Sequence, residues 1–429
     1  MSKLLIRNAL IIDPARKLEK ELDLLIEDGL IRSVGRGLAP GGSADCDIYE
    51  AAGLWLMPGL IDMHVHTREP GMESAEDLLS ATRAAAAGGF TSILAMPNTE
   101  PPADHPSLIR RLRAKAAGLP VNVYFSAAVT RGRAGLKLTS LAALKKAGAL
   151  AFTDDGACVP DELLRKALLL SRKNGVPVLD HAEKLLFTGP GVIHDGKISR
   201  ALGLPGIPYL SETDMVLRDV MLAQDAGARI HLQHLSCRES VETVREAKRR
   251  GISVTAETCP HYFTLTCENV KDAAFKMKPP LRERLDREAL KHGLADGTID
   301  VIASDHAPHP AAEKAKGLLE APFGVIGLET TLGLALTELF YKGLVSRLRL
   351  AELLSANPAR ILGLKNKGGL SPGMDADLTL IDPRAEYRVR QAFYSKSANS
   401  PFIGRRLKGL AAATVVRGRI VFSRPAGFL

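Results

Sequence analysis

Eight short apolar runs in this chain each stop at polar or charged residues, and helix-period segments fill most of the gaps between them. The runs are "LMPGLIDMHVH" (56–66), "TSILAMPN" (91–98), "VNVYFSAAV" (121–129), "ALAFTDDG" (149–156), "VPVLDHAE" (176–183), "ARIHLQHLS" (228–236), "ISVTAETCPHY" (252–262) and "IDVIASDHAPH" (299–309). Stretches such as "ESAEDLLSATRAAAAGG", "PDELLRKALLLSRKNG" and "ESVETVREAKRRG" separate them, several ending in the glycine that helix C-termini favour. Near-continuous apolar strands alternating with helices imply a parallel sheet covered on both faces. Eight such units predict an α/β fold, a closed (β/α)8 TIM-like barrel. No GxGxxG follows the first strand, so a dinucleotide-binding open sheet has little support.

The two ends read differently. Residues 1–52 and 369–429 contain short strands and turns ("KLLIRNALIID", "AAATVVRGRIVF"), and neither segment can close a core alone. We expect them to pair into one small composite β-sandwich domain, because chain ends often lie close together, with residues 53–368 forming the barrel.

Composition narrows the function. Hydrophobic content of 46% and charged content of 24% are ordinary for a globular protein. The net charge is +9, but the basic residues are scattered along helical segments such as "REAKRR". Nucleic-acid binding would need a basic patch or a known module, and neither is present. No apolar run approaches the ~20 residues of a membrane helix. The N-terminus lacks the features of a signal peptide, so a cytoplasmic location is expected. Five cysteines without CxxC spacing read as free thiols.

In a barrel of this kind the C-terminal ends of the strands form the active site. Side chains at i and i+2 of a strand share a face, so His64 and His66 point the same way at the end of the first run. Two imidazoles on one side form a clamp for a divalent metal. Other runs end in further candidate ligands: Asp154 or Asp155, His181, His234 and Asp305. Alternation does not choose between the adjacent aspartates. His231 and His234 face opposite ways, and His234 is nearer the strand end. Four histidines and a bridging carboxylate suit one or two zinc-like ions. Asp305 is placed to bind metal and to take a proton from water. Arg68 continues the face of His66 and offers a bidentate fork for a carboxylate.

These residues resemble the amidohydrolase superfamily and, within it, the dihydroorotase family. "PGLIDMHVHTREPG", "AMPNT", "AFTDDG", "ETCPHYF", "SDHAPH", "FGVIGLET" and "SKSANSPFIGRRLKG" carry the resemblance, which covers almost the whole chain. It implies hydrolysis of dihydroorotate to carbamoyl-aspartate in pyrimidine synthesis, with an aspartate in place of a carboxylated lysine as bridging ligand. Carried over, it implies that His64 and His66 bind a first metal, His181 and His234 a second, and that an aspartate of "TDDG", taken as Asp154, bridges them. It also implies Asp305 as base and ligand. Arg68, Asn98 and His309, with backbone groups of Phe323 and Gly324, are the implied substrate contacts. The segment 309–324 reads as a mobile lid. Where similar chains have an asparagine before the paired prolines, this one reads "KMKPPLR" and has Lys278, expected to donate to a substrate oxygen. The relatives hydantoinase and allantoinase usually carry a lysine on the fourth strand, and "LAFTDDG" has none. A silent subunit scaffolding aspartate transcarbamoylase would be expected to have lost ligands, and this chain retains them. An active homo-oligomer, with or without that partner, is the expected state.

Overall fold

The computed structural model describes residues 3–39 and 46–428. Eight parallel strands pair in chain order: Leu60–Val65, Phe90–Ala95, Asn122–Ala127, Ala151–Phe152, Val178–Asp180, Ile230–Leu232, Val254–Thr258 and Val301–Ile302. A parallel bridge between Val65 and His306 joins the last to the first. The (β/α)8 barrel is therefore nearly closed. Helices Leu78–Ala87, Pro106–Lys115, Asp161–Asn174, Leu210–Ala226 and Arg238–Arg249 occupy the segments where helical periodicity places them. The last turns of two of them run into Gly175 and Gly227, both left-handed.

The barrel interior is apolar where it is not catalytic: Ile61, Met63, Leu94, Met96, Leu179 and Val301 share one buried cluster. A larger cluster fills the space between strands and helices. This two-layer burial fixes each strand's register, since a one-residue slip would exchange core and mouth positions.

Both chain ends meet in one sheet. Strands from Lys3 to Pro58 pair with strands from Leu378 to Phe428, nine in all, around a separate core that includes Ile6, Ile11, Leu24, Leu378 and Val415. The run 56–66, expected as one barrel strand, is two strands. Trp55–Pro58 pairs antiparallel with Leu378–Ile381 in this terminal sheet, and the barrel begins at Leu60. Gly59 is the hinge: a Cβ there would lie 2.2 Å from Thr91 Oγ1, so only glycine fits.

Between the fifth strand and helix Leu210–Ala226 the chain makes a longer excursion. It contains helix Leu185–Thr188, helix Lys197–Leu202, and the paired strands Ile193–His194 and Gly206–Ile207. Among the described residues no helix is long and apolar enough to cross a membrane.

Candidate metal centre and substrate cavity

The regular strands are short, so most site residues sit in the first turns beyond them. His64 is still within its strand. His66 follows it and donates its backbone N–H to the carbonyl of His306, next to Asp305 (2.9 Å). His234 and Asp305 have positive φ, 36° and 46°, as does Arg68 at 59°. Left-handed backbone is costly for such residues and collects where function demands a particular side-chain direction.

His64 Nε2 lies 3.2 Å from Asp155 Oδ1 and 3.5 Å from Asp305 Oδ1. His66 Nε2 lies 3.1 Å from Asp305 Oδ1 and 3.6 Å from Asp155 Oδ2. On the other side of Asp155, His181 Nδ1 is 3.6 Å and His234 Nε2 is 3.9 Å from Oδ1. Two triads result, His64–His66–Asp155 and Asp155–His181–His234, and the ligand atoms of each lie within 4.8 Å of one another. All five residues are buried.

Asp155 is thus the carboxylate shared by both triads, and the choice of Asp154 is corrected. Asp154 is turned to the barrel wall, where it accepts the backbone N–H of Thr130 at 3.0 Å and the Thr130 hydroxyl. The strand stops at Phe152, so both aspartates lie in irregular backbone, and the Thr130 pair captures the first.

The donor set fits a cation. His64 Nε2 and His234 Nδ1 are buried with no hydrogen-bond partner. His181 Nδ1 and His234 Nε2 face each other at 2.7 Å, and two such nitrogens cannot both be bare acceptors. Burial disfavours charge on His181, but the carboxylates of Asp155 and Glu183 outweigh it and push its pKa up to about 9. Burial pushes the Asp155 carboxyl up, yet the imidazoles of His64 and His181 hold it well below the usual range. Buried carboxylates and imidazoles that compensate one another this closely are those a divalent ion would hold.

A cavity of about 180 Å³ opens beside the triads. At about 30 Å³ each, it would hold roughly six waters, room for one small substituted ring. His66, Arg68, Asn98, Asp155, His181 and His234 line it on the metal side. Lys278, Asp305, His309, Phe323 and Gly324 complete it. Every expected site residue except His64, behind the wall, and Asp154 reaches this space.

Several of these groups are held in place. Arg68 Nε donates to Pro308 O at 3.1 Å, and Nη2 is 3.1 Å from His309 Nε2. Asn98 is 2.9 Å from His66 Nδ1 and donates to Asp155 Oδ2 at 3.3 Å, so it orients the cluster as well as lining the cavity. Lys278 reaches the cavity: its Nζ is 3.1 Å from Glu183 Oε1 and 5.0 Å from the Phe323 ring centre.

Four functional side chains escaped the sequence reading. Glu257 Oε1 is 2.7 Å from His64 Nδ1, and Glu183 Oε2 is 3.0 Å from His181 Nε2. Both are the carboxylates that fix a ligand histidine's orientation. Asn399 donates to Ala307 O and Gly324 O (3.1 and 3.0 Å) and accepts from the His309 N–H. Lys314 donates to the carbonyls of Lys276, Pro322 and Gly324 (3.2, 3.0 and 2.9 Å). The segment expected as a lid is therefore two short helices, Ala311–Lys314 and Gly317–Glu320, tied down at both ends. A charge within an apolar strand was the available signal for Glu257. Asn399 lies far along the chain from the loops it holds and gives none.

The comparisons with known proteins agree with this geometry. Residues 53–240 match the family model of dihydro-orotase-like proteins, and residues 329–422 that of an amidohydrolase family. A dihydroorotase of Pelotomaculum thermopropionicum is 48% identical over 423 residues, 98% of each chain. The chain belongs to the dihydroorotase family. A second dihydroorotase, of Pelobacter propionicus, is 48% identical over 428 residues, 98% of this chain and 100% of that one. The fold extends to hydantoinases. L-Hydantoinase (dihydropyrimidinase) from Arthrobacter aurescens superposes with a TM-score of 0.89 at 25% identity, covering 100% of this chain and 98% of that one. The family makes this chain a hydrolytic enzyme. Beyond the fourth barrel strand, this chain presents Asp155 to both histidine pairs.

Proposed function

We propose that the chain catalyses the reversible hydrolysis of dihydroorotate to N-carbamoyl-aspartate, with zinc held by His64, His66, Asp155, His181, His234 and Asp305. The observation that carries this reading is Asp155, shared by two histidine pairs at the edge of a small cavity that also contains a buried arginine. Two ions suit the two triads. A divalent metal there would polarise the amide carbonyl and acidify the attacking water.

The side chains do the rest. Arg68, preset by Pro308 O and His309, receives the substrate carboxylate in a bidentate pair. Lys278 donates to a ring oxygen from the opposite wall. Asp305, held 3.1 Å from His66 Nε2, takes a proton from the attacking water on its carboxylate oxygen. It then gives that proton to the ring nitrogen as the C–N bond breaks. Phe323 and Gly324 confine the ring. The domain limits belong to the same reading, with 1–52 and 369–429 forming the composite domain and 53–368 the barrel, except that strand Trp55–Pro58 lies in the terminal sheet. Residues 1–2, 40–45 and 429 lie outside the described residues. A cytoplasmic location and an aspartate transcarbamoylase as protein partner belong to the reading too.

The test is an assay of the metal-loaded protein on dihydroorotate, hydantoin and allantoin side by side. The reading expects turnover of dihydroorotate in large excess over the others. Preferred turnover of hydantoin or allantoin would overturn it.

A further inference from the structure

We propose that Glu76, which does not line the cavity, is a positioning residue for the proton transfer assigned to Asp305, and that it acts through His306. The inference rests on the catalytic reading and extends it to residues that do not touch substrate. The last barrel strand ends at Ile302, so Asp305 stands on irregular backbone at φ 46°. No strand ladder aims a side chain there, and such backbone persists only where its surroundings over-determine it. The neighbouring His306 supplies that restraint. Its backbone carbonyl accepts the His66 N–H at 2.9 Å, and its own N–H donates to Ser304 Oγ at 3.1 Å. Its imidazole is fixed at both nitrogens. Gly327 donates its N–H to Nδ1 at 3.2 Å, so the ring proton sits on Nε2 and points at Glu76 Oε2, 3.1 Å away.

Glu76 is fully buried, between the first barrel strand and helix Leu78–Ala87. Four donors meet its two oxygens. Oε2 also receives the Ser395 hydroxyl, while Oε1 receives the Ser80 hydroxyl and, at 3.2 Å, the Lys396 backbone N–H. Only a carboxylate accepts on both oxygens and carries no donor of its own. The donors come from the first helix, from the Asp305 loop and from a segment between strands Leu378–Arg388 and Arg406–Val416 of the terminal sheet. That segment is itself anchored. Glu329 accepts the backbone N–H groups of Tyr394 and Ser395 at 2.8 and 3.2 Å, and the Lys396 ammonium pairs with Asp77. The C-terminal part of the chain thus reaches back to the barrel and sets, through Glu76 and His306, where the Asp305 carboxylate stands. A small displacement of that carboxylate slows proton transfer. It leaves in place Arg68, which holds the substrate, and the two triads, which close through Asp155.

Glu76→Gln keeps the shape but turns an amide N–H2 toward two of the four donors. In the metal-loaded chain it should lower kcat for dihydroorotate about 10- to 100-fold, with KM within about twofold of wild type and metal content unchanged. The solvent deuterium isotope effect on kcat should rise, because proton transfer becomes slow relative to the other steps. Ser395→Ala should lower kcat severalfold, and Ser395→Thr, which keeps the hydroxyl, should restore it. Wild-type kcat in Glu76→Gln would overturn the proposal. So would a kcat loss matched by an equal loss of bound metal, or one with an unchanged isotope effect, since either marks a merely structural role. If Glu76→Gln does not fold, the two Ser395 variants decide by the same readouts. A wild type that hydrolyses another cyclic amide and not dihydroorotate overturns the catalytic reading alone, and the same comparison is then made on that substrate.

Discussion

The carboxylate of Glu257, on the seventh barrel strand, lies 2.7 Å from Nδ1 of His64 on the first. Both residues are fully buried, and Glu257 also reaches His231 Nε2 at 3.1 Å. The contact holds the His64 proton on Nδ1 and leaves Nε2 bare toward Asp155. Glu257→Gln keeps the shape but offers a neutral amide. It should weaken metal binding about 10- to 100-fold, the usual worth of such a partner. Competition with a fluorescent chelator measures this, and unchanged affinity would remove Glu257 from the metal's support.

Lys278 tests the far wall of the cavity. Lys278→Ala should raise KM for dihydroorotate severalfold with metal content unchanged, and Lys278→Asn should stay close to wild type. The ion pair with Glu183 keeps the ammonium at the cavity. Steady-state kinetics decide it: an alanine variant with the wild-type KM would mean that the ammonium serves Glu183 alone.

Much of this architecture is legible in the sequence because a barrel strand must be apolar until it reaches the mouth. A polar residue ending such a run has few structural reasons to be there, which is why His64, His181, His234 and Asp305 stood out. The rule fails where the strand ends early. Beyond Phe152 the backbone no longer alternates, so position alone could not separate Asp154 from Asp155. The break at Gly59 was hidden because both halves of the run 56–66 are apolar. Asn399 and Lys314 act on backbone carbonyls, which carry no trace in the sequence.

Glu329 links stability to pH away from the metal centre. It accepts backbone N–H groups of Tyr394 and Ser395 (2.8 and 3.2 Å), and burial pushes its carboxyl up to about 7. The ordinary glutamate value is 4.5, so the folded state holds a proton between pH 4.5 and about 7 that the unfolded chain releases. Its contribution is therefore complete below pH 4.5 and is lost as pH rises through 7. Glu329→Gln should gain thermal stability relative to wild type as pH rises from 5 to 8. Thermal unfolding of both proteins across that range checks it, and a constant difference in Tm would contradict it.

The central claim is that Asp155 joins two metal-binding triads. It is tested most directly by metal analysis of Asp155→Asn beside Asp154→Asn, each with a dihydroorotate assay. The account predicts that Asp155→Asn loses metal and turnover, whereas Asp154→Asn, which changes only the contact with Thr130, retains its metal. Full metal and activity in Asp155→Asn, with both lost in Asp154→Asn, would contradict it.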